Sequence, residues 1–393
     1  MKTKTTVQIV LLAGFLLMNA GFAKQNEGKQ RESDVVEWVK FKDAKTGNEV
    51  WQLTAHDAPS EAFYFYAQSF TRDDRYAIFS SKRSGIWDAY RCDLSTGVIV
   101  PLTSGEDLRR ACMYPDGRSM AYISGWKYYT VDVHTLEREE IFDFTGKLPA
   151  PPFFRPSFTQ DGRYTLVYTR DEATGSVLYR VDLVAKEILS LLEVQTGGFG
   201  HEQINPVNPD LIAYAPSPDT QNDMHLPMDK RPRARLINVD AGTNTPFLIA
   251  PYGFRATHDS WSPLGDRYFF FEKTQPGWTP VSIASIDLQG KDYTRHYTDD
   301  TVRLGHGAVS EDGAWFITDS QQSYSNPLML INLKDGKSKT LCWPDASVNT
   351  PARVHVHPNF STSGDYVIYT SDVVKTDTAQ VYVVPIRHIK DAW

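Results

Sequence analysis

Apolar and polar residues alternate with a period of two in short runs along most of the chain, and turn residues punctuate the runs. This is the pattern of half-buried β-strands, and helical periodicity is nearly absent. One phrase recurs: an aromatic or Ser, a Pro or Thr, Asp-Gly or a variant, a charged residue, then an alternating apolar strand. It stands at Ser69–Arg75 before Tyr76–Phe79, at Tyr114–Arg118 before Met120–Ile123, and at Ser157–Arg163 before Thr165–Tyr168. It returns at Asn205–Asp210 before Leu211–Tyr214 and at Trp261–Asp266 before Tyr268–Phe271. The last copies are Ser310–Gly313 before Trp315–Ile317 and Phe360–Asp365 before Val367–Tyr369. The seven copies lie roughly 40–55 residues apart. Asp-Gly supplies the positive φ of a tight hairpin turn. A second alternating strand follows each copy, as at Leu178–Leu183, and most copies add a turn and an outer strand, as at Ser95-Thr96-Gly97 before Val98–Thr103. Four short strands per repeat predict an all-β fold, a seven-bladed β-propeller formed by residues 37–393 as one domain.

The last repeat ends at Val383-Val384-Pro385 without an outer strand of its own. The segment Asp43–Thr54 reads like the outer strand of the first repeat. It is expected to complete the seventh blade and so to close the ring, which removes exposed sheet edges.

Ahead of the propeller, Lys2 and Lys4 precede an apolar run from Val7 to Met18, followed by small residues at Gly21 and Ala23. That order is a secretory signal, predicted to end at Ala23. Residues 24–36 are expected to be a loose polar segment. The mature protein is then exported, to the periplasm in a Gram-negative cell. The net charge is −7, and no Lys/Arg run or later apolar span appears. Nucleic acid and membrane are therefore not the expected partners. The three cysteines, Cys92, Cys112 and Cys342, make no disulfide framework. They read as buried thiols, with one bridge between Cys92 and Cys112 left open.

Five histidines fall just before the repeat phrase, where innermost strands line a propeller's channel: His201, His258, His306, His355 and His357. Neutral imidazole is both a common metal ligand and a base near neutral pH. In an extended segment residues i and i+2 share a face, so His355 and His357 can hold one ion together, with a third His from the neighbouring blade. Arg233, in Arg231-Pro232-Arg233-Ala234-Arg235, either reaches the channel or lies on the surface, and Arg353 beside the His pair is similar. Phe63-Tyr64-Phe65-Tyr66 reads either as core or as a sugar-stacking wall. Asp259 and Glu202, each beside a channel His, are the only suggestive acids.

These residues resemble a known family, the oligogalacturonate lyases, which are seven-bladed propeller polysaccharide lyases. The resemblance runs from about residue 40 to 387. Its most specific stretch is His355-Val356-His357-Pro358-Asn359-Phe360-Ser361, continuing to Tyr369-Thr370-Ser371-Asp372. Thr257-His258-Asp259-Ser260-Trp261, Gly305-His306, Tyr64-Phe65-Tyr66 and Gly200-His201 are similar to further family motifs. The resemblance implies a divalent metal, Mn2+, on His306, His355 and His357. It implies His258 as catalytic base with Arg233 as its partner; beside that, His201 is read as the reserve base or acid. Tyr64, Tyr66 and Arg353 are the expected substrate contacts. The family's fourth ligand, a Gln, is replaced here by Ala352.

The implied activity is that of a polysaccharide lyase in pectin degradation. It would cleave 4-linked uronate oligosaccharides, acidic substrates of the oligogalacturonate kind, by metal-assisted β-elimination to a 4,5-unsaturated uronate. A relative acting on a rhamnose–glucuronate or ulvan-type linkage fits the departures from the motif. A non-catalytic periplasmic propeller, as sugar-binding or scaffold protein, and a propeller glycoside hydrolase are the competing readings.

Overall fold

The computed structural model describes residues 35–393 apart from 109, 172–174, 196–197, 217–230, 276, 349–352 and 375–377. The predicted leader 1–23, most of the predicted polar segment, and Ala352 lie outside the described residues.

The alternating runs form seven antiparallel sheets arranged as the blades of a β-propeller. Five blades have four strands and two have five. Blade 1 starts at Ser60–Ala62, blade 2 at Ala111–Met113 and blade 3 at Phe153–Phe158. The innermost strands of blades 4 to 7 are Gly200–Ile204, Phe254–Trp261, Leu304–Val309 and Asn359–Phe360. In each blade the recurring phrase is the turn from innermost to second strand. Its glycines, such as Gly117, Gly162 and Gly313, hold the positive φ that the turn requires. Second and third strands are largely buried, and their apolar faces pack neighbouring blades together in separate core clusters. Cys92, Cys112 and Cys342 are free and buried there, and no Cys92–Cys112 bridge forms.

The predicted closure is present. Glu49–Gln52 pairs with Gln380–Pro385, the last strand of blade 7, through Trp51↔Val383 and Gln52↔Tyr382. Val39–Lys42 adds a further outer strand to the same blade. One expectation changes: the loose segment does not reach Val36. Val35 and Val36 pair with Ile99 and Val98 on the outer edge of blade 1. An outer edge offers unpaired backbone groups, and an apolar pair followed by Trp38 satisfies them. Trp38 lies so close over Gly97 that a Cβ there would meet its ring. The segment thus straps blade 7 to blade 1.

Blade 1 departs most from the repeat. Its Ala62 pairs with Phe79 and its Phe70 bridges Ala77, so the chain between them leaves the sheet. That excursion carries Tyr64-Phe65-Tyr66 into the channel. Phe65 is fully buried there, against the rings of His258, His306 and His357.

Candidate active site

In blades 4, 5 and 6 the innermost strand loses register where its histidine stands. The breaks lie between Gly200 and Gln203, Thr257 and Ser260, and Leu304 and Gly307. A bulge adds a residue to one strand and re-aims its side chain. His201 and His258 adopt φ of 53° and 51°, a left-handed conformation uncommon outside glycine. His306 sits between two glycines for steric reasons. A Cβ at Gly305 would strike Gln321 and Asp319, and one at Gly307 would strike the Ile317 carbonyl and the Phe316 ring.

His355 and His357 converge by a different route from the extended strand expected for them. Residues 353–358 form no strand, and His357 has φ 44°. Val356 between them is fully buried, and its carbonyl accepts from Thr370 N at 2.9 Å. That anchor turns both imidazoles back toward His306. One donor atom from each of His306, His355 and His357 lies within 4.8 Å of the others.

Asp319 orders this cluster. Its Oδ1 accepts from the backbone N of His306 at 2.7 Å, and its Oδ2 lies 3.0 Å from His306 Nδ1. The same Oδ2 accepts from His357 N at 3.3 Å. With Nδ1–H donated to a carboxylate, His306 Nε2 keeps its lone pair for a ligand. Burial, and then the neighbouring His306, pushes His357 well below the usual histidine range and lowers His355. Unprotonated imidazole is the form a metal needs.

His258 packs against this group at a tilt, its ring centroid 4.3 Å from that of His306. Its Nδ1 is buried without a hydrogen-bond partner. Burial first, then His306 and Lys273, hold it well below its ordinary pKa, so it is a neutral base. Arg233 directly precedes the third strand of blade 4, where its N donates to Leu248 O, and it does reach the channel. Its Nε donates to Asp259 Oδ1 at 2.6 Å, and the Tyr268 hydroxyl donates to the other carboxylate oxygen. Burial would raise Asp259, but Arg233 and His201 outweigh it and hold the carboxyl below its usual range. His201 is pushed down to about 4, by burial and then by Arg233.

The two suggestive acids are both committed to arginines. Asp259 serves Arg233, and Glu202 forms a buried ion pair with Arg155 at 2.6 Å. Neither is a free acid–base group. Arg353 stands exposed at φ 49°, and it is not among the residues lining the cavities beside the histidines. Those cavities hold about 670 and 340 Å3 and share His201. Tyr64 and Tyr66 line the larger, and Tyr64 packs edge-on against His357 at 4.7 Å. Tyr66 also lines a further cavity, together with Gln68 and Pro156. Phe65 of this segment is core, whereas Tyr64 and Tyr66 face a cavity.

Sequence reasoning missed Asp319, Gln321, Lys273 and Arg255. Asp319 carried a faint signal, because Thr318-Asp319-Ser320 ends its strand much as Thr370-Ser371-Asp372 ends the equivalent one in blade 7. Gln321 lies over the His306 ring, its Nε2 3.4 and 3.5 Å from the two ring nitrogens.

Comparison with known proteins agrees with the motif resemblance. A family model described as oligogalacturonate lyase matches residues 27–148, which include the Tyr-Phe-Tyr excursion. The chain is 24% identical over 378 residues to an oligogalacturonate lyase of Dickeya dadantii, covering 85% of this chain and 92% of the relative. It is 24% identical over 377 residues to an oligogalacturonide lyase of Pectobacterium atrosepticum, with the same coverage of both chains. Among solved structures, an oligogalacturonate lyase in complex with manganese superposes with a TM-score of 0.76 at 22% identity, over 90% of this chain and 98% of that one. The oligogalacturonate lyase of Vibrio parahaemolyticus gives 0.75 at 19% identity, over 91% and 99%.

Proposed function

We propose that this oligogalacturonate lyase-like propeller cleaves 4-linked uronate oligosaccharides by metal-assisted β-elimination, leaving a 4,5-unsaturated uronate. One observation carries the reading: His258, half-buried with a buried and unpartnered Nδ1, packs against the His306 ring at the edge of a three-histidine cluster.

The cluster fits a divalent ion in its donor chemistry. Three imidazoles converge, Asp319 fixes the tautomer of His306, and His355 Nδ1 is buried without a hydrogen-bond partner. His306, His355 and His357 would hold the ion, and manganese, present with one structural neighbour, is the first choice. Three nitrogen ligands leave positions for the oxygen donors that manganese favours. When bound, the ion supplies a Lewis-acid contact that neutralises the uronate carboxylate and so acidifies the adjacent C5 proton.

The chain's own residues do the rest. His258 accepts the C5 proton. The electron pair of the C5–H bond becomes the C4–C5 double bond, the bond from C4 to its oxygen breaks, and that oxygen takes a proton from solvent. Arg233, fixed by Asp259, adds positive charge beside His201 and His258 and so favours their unprotonated forms. His201 stands in reserve where the two cavities meet. Tyr64 and Tyr66 wall the larger cavity. The leader at residues 1–23 puts the reaction outside the cytoplasm, and a mature chain beginning at Lys24 is the check.

The test is incubation with a panel of uronate polymers and oligomers, read as absorbance at roughly 235 nm, where the conjugated elimination product absorbs. A rise that a chelator abolishes and manganese restores is expected with galacturonate oligomers. Absence of a rise with every uronate substrate sinks the lyase reading, and new reducing ends without absorbance would indicate hydrolysis.

A further inference from the structure

The smaller cavity, about 340 Å3, is walled by His258 and Arg233 and also by Arg255, Lys273 and Trp278. Lys273 lies near the end of the second strand of blade 5 and is 3% exposed. Its Nζ has no hydrogen-bond partner and rests over the Trp278 ring at 3.9 Å. Arg255 is its direct cross-strand partner. Two cations therefore face each other across adjacent strands, an arrangement that destabilises a sheet.

No acid lines this cavity among the described residues. Asp259 is committed to Arg233, and Asp319 already accepts from the backbone N and Nδ1 of His306 and from His357 N. Burial pulls the Lys273 amine down to about 7. Asp319 opposes that shift, and Arg255 and Arg233 reinforce it. A buried amine without an anion, opposite an arginine, in a cavity of small-ligand size next to the proposed base, has the makings of an anion site.

We propose that Lys273 and Arg255 form a second carboxylate-binding subsite, which takes the uronate adjoining the one that is cleaved. The proposal rests on the uronate reading above and deepens it: the protein selects substrates with carboxylates on two neighbouring sugars. Trp278, 38% exposed, offers an apolar wall for the second ring.

The experiment uses the full-length protein loaded with manganese. Titration calorimetry in a His258→Ala background, where no turnover interferes, compares galacturonate with saturated digalacturonate. Lys273→Met is expected to weaken digalacturonate binding about tenfold or more, the loss of one charge-assisted contact, and to leave galacturonate binding unchanged. Lys273→Arg keeps most of the affinity. In the active protein, Lys273→Met raises KM for digalacturonate much more than it lowers kcat. If Lys273→Met does not fold, Arg255→Gln, a change at an exposed side chain, makes the same comparison. Unchanged digalacturonate affinity in these variants overturns the subsite while the lyase reading stands. Lys273-dependent digalacturonate binding by a protein that yields no unsaturated product supports the subsite and sinks the lyase reading. A wild-type protein that binds no uronate overturns both.

Discussion

In blade 2 the innermost strand, Ala111–Met113, pairs with Tyr122–Met120 in unbroken register. Its three side chains are buried and join the core between blades. In blade 5 the corresponding strand runs Phe254–Trp261 and breaks register between Thr257 and Ser260. His258 at that break takes φ 51° and points at other histidines, and Asp259 binds an arginine from blade 4. The two blades share one repeat and one topology. They differ in whether the inner strand completes its ladder, and the incomplete strand gives up backbone regularity to present polar groups to the channel. The channel histidine of blade 5 is therefore positioned by local irregularity on a regular frame.

Substitutions on the two kinds of strand should separate cleanly. The largest effect is expected from His258→Ala, which should lower kcat/KM by about 10²–10⁴-fold, as loss of a general base does, with the fold intact by circular dichroism. Asp319→Asn comes next. It removes the carboxylate that orients His306, so manganese affinity measured by calorimetry should fall about 10–100-fold. Gly307→Ala forces a Cβ onto the Ile317 carbonyl, and denaturant unfolding should show a loss of about 1–3 kcal/mol together with weaker metal binding. The effect of pH is smaller. Lys273 faces Asp319, Arg255, Arg233 and His258, and its lowered pKa means that it carries a proton below about 7 and loses it above. Digalacturonate affinity should therefore decline as pH rises from 6 to 8, by about tenfold at most, and Lys273→Met should flatten the decline. Smallest of all is Cys112→Ala in blade 2, which should cost about 1 kcal/mol of stability and leave kcat/KM unchanged. A catalytic loss at Cys112, or none at His258, would break the comparison.

The same contrast explains what could be read from the chain. The blades were legible because turn chemistry and period-two alternation are local and repeat seven times, down to the borrowed strand at Trp51. The channel histidines were legible because they stand at a shared offset from those turns. His355 and His357 were correctly paired for a reason that does not hold, since a turn anchored by Val356 brings them together and not an extended strand. Arg353 was chosen by adjacency, yet the turn in which it lies leaves its side chain exposed. Asp319 and Lys273 escaped notice because each ends a second strand whose apolar run reads as core. Only the pairing between strands shows what each of them faces. Val35 and Val36 escaped because an edge partner lies more than sixty residues away along the chain.

The strap formed by those valines has a mechanical meaning for the site. His306 belongs to blade 6, and His355 and His357 belong to the blade on which the chain closes. An open stack of blades would spread like a split washer, and the gap between neighbouring histidines would widen with it. Pairing of Glu49–Gln52 and Val39–Lys42 into blade 7, with Val35–Val36 on blade 1, puts the ring under a hoop constraint. The spacing of the nitrogen donors is then held at a distance by residues that never approach the ion, and loosening the rim should be felt first as a weaker grip at the centre.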